Sequence, residues 1–214
     1  MENYVCPGEL IFGADSHTCS YGALGAFGTG VGCTDLLYGM VTGKSWVLVP
    51  ETVKFNLVGK LPEGVYARDL ILTIIGTIGA NGCNYQVMEF TGEGAKTLSI
   101  SERMVLCNMA VEAGAKTGIF EPDEKAIEYL EAHGRKPKAL FTSDPDAVYA
   151  REYTFDLSKI RPVVAKPDFV DNLVPAEEVR GVKIDEAFLG SCNNGRIEDL
   201  RVGASIIKGK KVAE

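Results

Sequence analysis

Apolar positions along this chain follow two rhythms. Short runs that are apolar throughout, or at every second position, predict strands at Leu10-Ile11-Phe12, Val53 to Val58, Tyr85 to Thr91 and Lys116 to Phe120. Longer stretches with a three-to-four spacing predict helices. One is Ala67 to Ile78, with Asp69 in its first turn; another is Arg196 to Lys208, where Ile197, Leu200, Ala204 and Ile207 share a face. Ser99-Ile100-Ser101-Glu102 is a capping box and starts a helix that runs to about Ala113, with Met104, Cys107 and Val111 turned inward. The next helix takes Pro122 in its first turn and stops at His133-Gly134. His133 suits a helix end and has no catalytic role. Further strands are predicted at Glu152 to Leu157 and Ile184 to Leu189, and Lys210 to Glu214 reads as the start of one more. Strand followed repeatedly by helix predicts an α/β fold with parallel sheets covered by helices. Residues from about Gly134 to Pro167 turn rich in Pro, Lys, Arg and Asp and mark a domain boundary.

Two stretches keep neither rhythm. Gly13-Ala14-Asp15-Ser16-His17-Thr18 leads into a run with glycine at 22, 25, 28, 30 and 32. So much glycine is costly inside a regular element, which predicts a tight loop that presents Asp15, Ser16 and His17 and then feeds a helix capped by Thr34 or Asp35 and ending near Gly43. The second stretch is Gly190-Ser191-Cys192-Asn193-Asn194-Gly195-Arg196, a strand-to-helix turn. The fold is expected to bring the two together around one site.

Composition narrows the function. The chain has 214 residues, 46% hydrophobic and 24% charged, with a net charge of −7. That balance suits a globular domain and disfavours a nucleic-acid surface, which needs clustered Lys and Arg. No apolar run reaches the length of a membrane span, and the N-terminus lacks a secretory pattern, so the cytoplasm is the expected compartment. Six cysteines without a C-x-x-C pair form neither a disulfide framework nor a zinc ribbon. Five of them, at positions 6, 19, 33, 83 and 107, read as buried apolar residues.

Cys192 stands apart because a thiol near a helix N-terminus has its thiolate favoured, and thiolate is the form that ligates metal. Asn193, Asn194 and Arg196 add hydrogen-bonding groups beside it. No Gly-Lys-Ser/Thr follows the glycines, so this is not a phosphate loop. Asp15 and His17, two apart, would point the same way on extended chain, where a carboxylate orients an imidazole for acid–base work. The residues alone equally allow Asp15 and Ser16 to cap a turn and His17 to sit in the core. Glu89, among apolar neighbours, either pairs with a base, for which His17 is the candidate, or faces solvent on an alternating strand.

Gly13 to Thr18 with its glycines, Met88-Glu89-Phe90-Thr91-Gly92, Leu106-Cys107-Asn108-Met109-Ala110 and Gly190-Ser191-Cys192 through Leu200 together resemble, in order, the signatures of the aconitase/isopropylmalate dehydratase family. The isopropylmalate branch is nearest, with the homoaconitate and dimethylmalate branches close by. The resemblance implies a three-layer α/β/α fold of the aconitase iron–sulfur type with mostly parallel sheets. Residues 1–50 would end a first α/β domain, 51–150 would form a second, and 151–214 would begin a third carrying the first cluster cysteine. It also implies a [4Fe-4S] cluster held by three cysteines, whose open iron acts as a Lewis acid on a hydroxy-diacid substrate. By motif, Cys192 matches a cluster ligand. Asp15 and His17 match residues near the substrate hydroxyl, Glu89 matches the histidine's partner, and Ser16, Asn194 and Arg196 match substrate contacts. The implied partner is a small subunit carrying a swivelling domain.

The chain also departs from the family pattern. Position 193 is Asn where Thr is usual, and position 33 is Cys where a small residue such as Ser is common. The preceding catalytic segment and the later C-x-x-C pair are not in these residues. The chain by itself is therefore expected to lack dehydratase activity. The rival expectation is a folded, non-catalytic binding or assembly module; an RNA-binding role is disfavoured by the net charge of −7.

Overall fold

Four parallel strands make the centre of the computed structural model, which describes residues 4–137 and 139–211. They are β3 (Thr52–Val58), β4 (Val87–Thr91), β5 (Thr117–Phe120) and β6 (Arg151–Asp156), in the order β5-β4-β3-β6. A separate parallel pair joins β1 (Leu10–Gly13) to β2 (Phe27–Gly30), and a short antiparallel pair joins β7 (Val163–Ala165) to β8 (Leu173–Pro175). The fold is α/β with mostly parallel sheets, as predicted.

Alternation builds the core. Val53, Phe55 and Leu57 of β3 are fully buried on one face, in register with Met88 and Phe90 of β4. Phe55, Phe90 and Phe120 form a row across three strands, with ring centroids 5.6 and 5.1 Å apart. Helix α2 (Ala67–Ile78) buries Leu70, Ile71, Ile74 and Ile75. Each such side chain taken fully out of water contributes about 2 kcal/mol. Asp69 does more than start that helix: its carboxylate accepts from the Tyr66 amide at 2.9 Å and from the Val163 amide at 3.0 Å, tying α2 to β7. A one-turn helix, α3 (Glu93–Thr97), leads to α4 (Ile100–Asn108), whose capping box forms as predicted; the Ser99 amide donates to Glu102 at 2.7 Å. From Met109 to Ala113 the helix tightens to 3-10 geometry, and Val111 is only half-buried.

Several local expectations are corrected. The glycine run is not one loop: a 3-10 helix, Ser16–Leu24, is followed by β2, paired along Leu10↔Phe27 to Gly13↔Gly30. Glycine is used there for close approach, since a Cβ at Gly28 would stand 2.3 Å from the Thr18 carbonyl oxygen. Helix α1 (Cys33–Thr42) is capped by Gly32, with Asp35 in its first turn, and it ends at Gly43 as predicted. Pro122 lies one residue ahead of the cap of α5 (Glu124–Ala132), which is Asp123; the helix stops at His133. No strand forms at Ile184 to Leu189. Ile184 and Phe188 are exposed, and no neighbouring strand supplies ladder hydrogen bonds among the described residues. Helix α6 (Ile197–Ile207) forms, but none of its residues is buried. The strand expected from Lys210 onward reaches into 212–214, outside the described residues. Strand β6, just past the sequence division at residue 150, completes the sheet begun by β3. Among the described residues no helix is long and apolar enough to cross a membrane.

Candidate active site

The Ser16–Leu24 helix opens where β1 ends, and Asp15 caps it. The Asp15 carboxylate accepts from the His17 amide at 2.6 Å, and the Thr18 hydroxyl donates to the Asp15 carbonyl at 2.6 Å. Asp15 and His17 therefore meet through a cap and not through an extended segment. Nδ1 of His17 lies 3.4 Å from the Asp15 carboxylate and 3.2 Å from the Ser16 hydroxyl, while Nε2 lies 3.7 Å from the Glu112 carboxylate. The ring sits between two acids.

Glu112, not Glu89, is the second of them. Glu89 is buried, but it accepts from the Ser143 hydroxyl at 3.0 Å and from the Tyr149 hydroxyl at 3.1 Å. Strand alternation explains this. Met88 and Phe90 share a face with Gly118, whose Cα region packs on Cys107 of α4, so Glu89 points to the opposite face. There it stands in register with Lys54, whose ammonium lies 4.6 Å from the Tyr149 ring centre. Glu112 lies in the 3-10 segment Met109–Ala113 that continues α4, and the Ser16–Leu24 helix packs against α4.

The two motif stretches do come together. His17 and Cys192 line one cavity of about 980 Å³, with Arg68, Asn108, Asn193 and Asn194. Leu72, Val163, Leu189 and Val202 supply apolar wall. Ser191 holds a left-handed φ of 74°, which turns the next residue out, and Cys192 is exposed. Cys192 precedes α6 by a full loop and does not sit on its first turn, where Asp199 already accepts from the Arg196 amide at 3.1 Å. Asn194 donates to Asp199 at 2.9 Å, and Arg196 folds back to donate to the Asn193 carbonyl at 2.9 Å, so both shape the loop. Ser16 lines a different cavity, of about 610 Å³, together with Asp35, Trp46 and Lys116.

Sequence reasoning gave no role to Asn108, Glu112, Ser20 or Arg68. Asn108 and Glu112 lie four apart, a spacing that places residues on one helix side and could have drawn attention to them. Arg68 carries no such signal.

A model of the aconitase family (aconitate hydratase) matches residues 1–180. The chain belongs to the aconitase family. Among its relatives, the 3-isopropylmalate dehydratase large subunit of Hydrogenobaculum sp. (strain Y04AAS1) is 54% identical over 208 residues, which cover 97% of this chain and 49% of that protein. That of Heliobacterium modesticaldum is 55% identical over 208 residues, 97% of this chain and 50% of that protein. Large subunit 1 of Methanopyrus kandleri is 51% identical over 211 residues, 99% of this chain and 50% of that protein. This aconitase-family chain thus spans about half the length of the curated relatives it matches.

The cysteines of this family member divide sharply by environment. Burial pushes the Cys19 thiol up to about 12 and the Cys83 thiol up to about 11, and it raises fully buried Cys107 well above the usual range. Cys33, expected to be buried, is exposed at the start of α1, as is Cys192 in its loop. Iodoacetamide near neutral pH is therefore expected to label Cys33 and Cys192 and to leave Cys19, Cys83 and Cys107 unmodified, read by peptide mass spectrometry. Early labelling of Cys107 would contradict the packing described.

Proposed function

We propose that this chain is part of the large subunit of an iron–sulfur hydro-lyase that interconverts 3-isopropylmalate and 2-isopropylmalate by dehydration and rehydration in leucine biosynthesis. A small subunit carrying a swivelling domain completes it. The observation that carries the reading is the meeting of Cys192 and His17 at one cavity, in a chain about half identical to 3-isopropylmalate dehydratase large subunits.

The donor set fits one share of a [4Fe-4S] cluster. Cys192 is the one cysteine at the cavity, and no group of three or more His, Cys, Asp or Glu among the described residues could hold a metal alone. Cys192 would contribute one thiolate, and the other ligands would come from residues outside this chain. When bound, the cluster supplies a Lewis acid for the substrate hydroxyl. His17 passes a proton to the departing hydroxyl from Nε2, which stands 3.7 Å from Glu112 and so is not tied up in a hydrogen bond to it, while Asp15 and Ser16 orient the ring through Nδ1. Asn194, at the cavity, serves the substrate carboxylates, with Arg196 holding the loop from behind. The three segments 1–50, 51–150 and 151–214 share the work: the first brings His17, the second Glu112 and Asn108, the third Cys192.

The test uses the complete large subunit with its small subunit. Cys192→Ser is expected to lower iron and sulfide content and to abolish turnover, while Cys33→Ser keeps both. Full iron content and full turnover in Cys192→Ser would sink the reading. A second reading, an assembly module, is favoured by α1, which has no buried residue and exposes Leu37, Met40 and Val41. It predicts that Cys192→Ser changes neither iron content nor the yield of assembled complex.

A further inference from the structure

The loop that carries Cys192 has little else to hold it. Phe188 and Leu189 ahead of it are exposed, and α6 behind it buries nothing. Its buried link to the rest of the molecule is the side chain of Asn193, which is only 7% exposed; the longer contacts, Arg68 to the Asn194 side-chain oxygen and Ser101 to Glu198, both at 3.5 Å, are exposed. Nη1 of Arg68 donates to the Asn193 side-chain oxygen at 2.7 Å. The amide nitrogen of Asn193 donates to the Val105 carbonyl and to the Asn108 side-chain oxygen, both at 3.1 Å. The Asn108 amide nitrogen donates to the Ser20 hydroxyl at 2.9 Å, and that hydroxyl donates to the His17 carbonyl at 2.8 Å. Asn108 and Ser20 are buried as well.

We propose that Arg68 and Asn193 are positioning residues that hold the Cys192 loop at a set place against the His17 turn, through this one-way chain of hydrogen bonds. Direction is the physical point. A guanidinium only donates, so the oxygen of Asn193 must face Arg68 and its nitrogen must face α4. Both hydrogens of that nitrogen are then used, and the oxygen of Asn108 must receive one. The nitrogen of Asn108 is left for Ser20, whose hydrogen is left for the His17 carbonyl. One exposed cation thus sets the orientation of the Asn193, Asn108 and Ser20 polar groups between the two halves of the site. The Cys192 sulfur lies 4.0 Å from the same Asn108 oxygen. A hydroxyl at position 193 carries one hydrogen and cannot serve both acceptors.

The catalytic meaning of this coupling rests on the reading of Cys192 as a cluster ligand; the coupling itself does not. The full 214-residue chain is measured in two ways, by the alkylation rate of Cys192 and by hydrogen exchange of amides in Ser16–Leu24. Arg68 is exposed, so its variants retain the fold. Arg68→Met is expected to raise both rates several-fold, although the side-chain hydrogen bonds of Arg68 go to Asn193 and Asn194 and not to Cys192 or the Ser16–Leu24 helix. Arg68→Lys keeps a single donor for Asn193 and is expected to restore both towards the wild-type values. Asn193→Asp, which accepts from Arg68 but donates nothing, is expected to match Arg68→Met. A faster Cys192 with unchanged Ser16–Leu24 exchange would show a merely local contact and overturn the proposal. So would an equal loss in Arg68→Lys, or no change in Arg68→Met. If both rates rise together while Cys192→Ser keeps its iron, the positioning stands and the functional reading falls.

Discussion

Asp123→Ala is expected to lower the unfolding free energy of this chain by about 3–5 kcal/mol, because it strands a buried cation. Arg103 on α4 is 1% exposed, and its guanidinium lies 5.4 Å from the Phe120 ring centre. Its charge is met by Asp123 through two hydrogen bonds, at 2.8 and 2.5 Å, and its Nε has no partner among the described residues. Asp123 also caps α5, accepting from the Ala126 amide at 3.2 Å. Urea unfolding of the variant set gives the test. Arg103→Met removes the charge itself and leaves a carboxylate with some access to water, so its loss should be smaller. If Arg103→Met proves the more damaging, the stranded cation is not the cause. The pH dependence has a definite sign. Burial raises the Asp123 carboxyl, but the Arg103 hydrogen bonds and charge outweigh it and hold the pKa below the ordinary 3.8. A depressed folded pKa contributes stability above the unfolded value. That contribution should be lost as pH falls below about 4, and Asp123→Ala should flatten the slope there.

Gly22→Ala is expected to cost about 3 kcal/mol, with loss of the site geometry. A Cβ built at Gly22 would stand 1.7 Å from the Gly118 carbonyl oxygen, 2.8 Å from its carbon and 3.0 Å from the Ile119 Cα. All three are backbone of β5, held in the sheet by β4, and cannot rotate aside as a side-chain tip would. The Ser16–Leu24 helix must move instead, and His17 at its start moves away from Glu112. Gly39→Ala is the control: it lies inside α1, its Cβ would meet only the Lys44 carbonyl oxygen at 3.8 Å, and it should not destabilise the chain. The measurements are thermal unfolding and the alkylation rate of Cys19, which lies in the same helix. A Gly22→Ala chain as stable as wild type, with Cys19 still shielded, would refute the close packing of that helix on β5.

Much of the architecture was legible from periodicity. Helix α2 spans the predicted residues because its apolar positions recur at helical spacing and Asp69 starts it. The α4 capping box is equally local, a Ser and a Glu three apart that satisfy each other's turn. Strand β2 was not legible. Phe27-Gly28-Thr29-Gly30 has poor strand propensity, and it becomes a strand because β1 offers an edge and because glycine lets it lie against Thr18 and Ser16. Ile184 to Leu189 shows the converse: good strand residues without a partner strand remain unpaired.

The sequence by itself determined the family, the strand–helix order and the two stretches, around His17 and Cys192, that meet at the cavity. All of these rest on local spacing and on residue types in chain order. Only the tertiary structure decided the partners: Glu112 instead of Glu89 at His17, and Arg68 with Asn193 at the Cys192 loop. The physical reason is range. Which face of a strand meets which helix follows from register across the whole sheet. Which buried amide finds which donor follows from four segments packed together, and neither is written in the spacing of neighbouring residues.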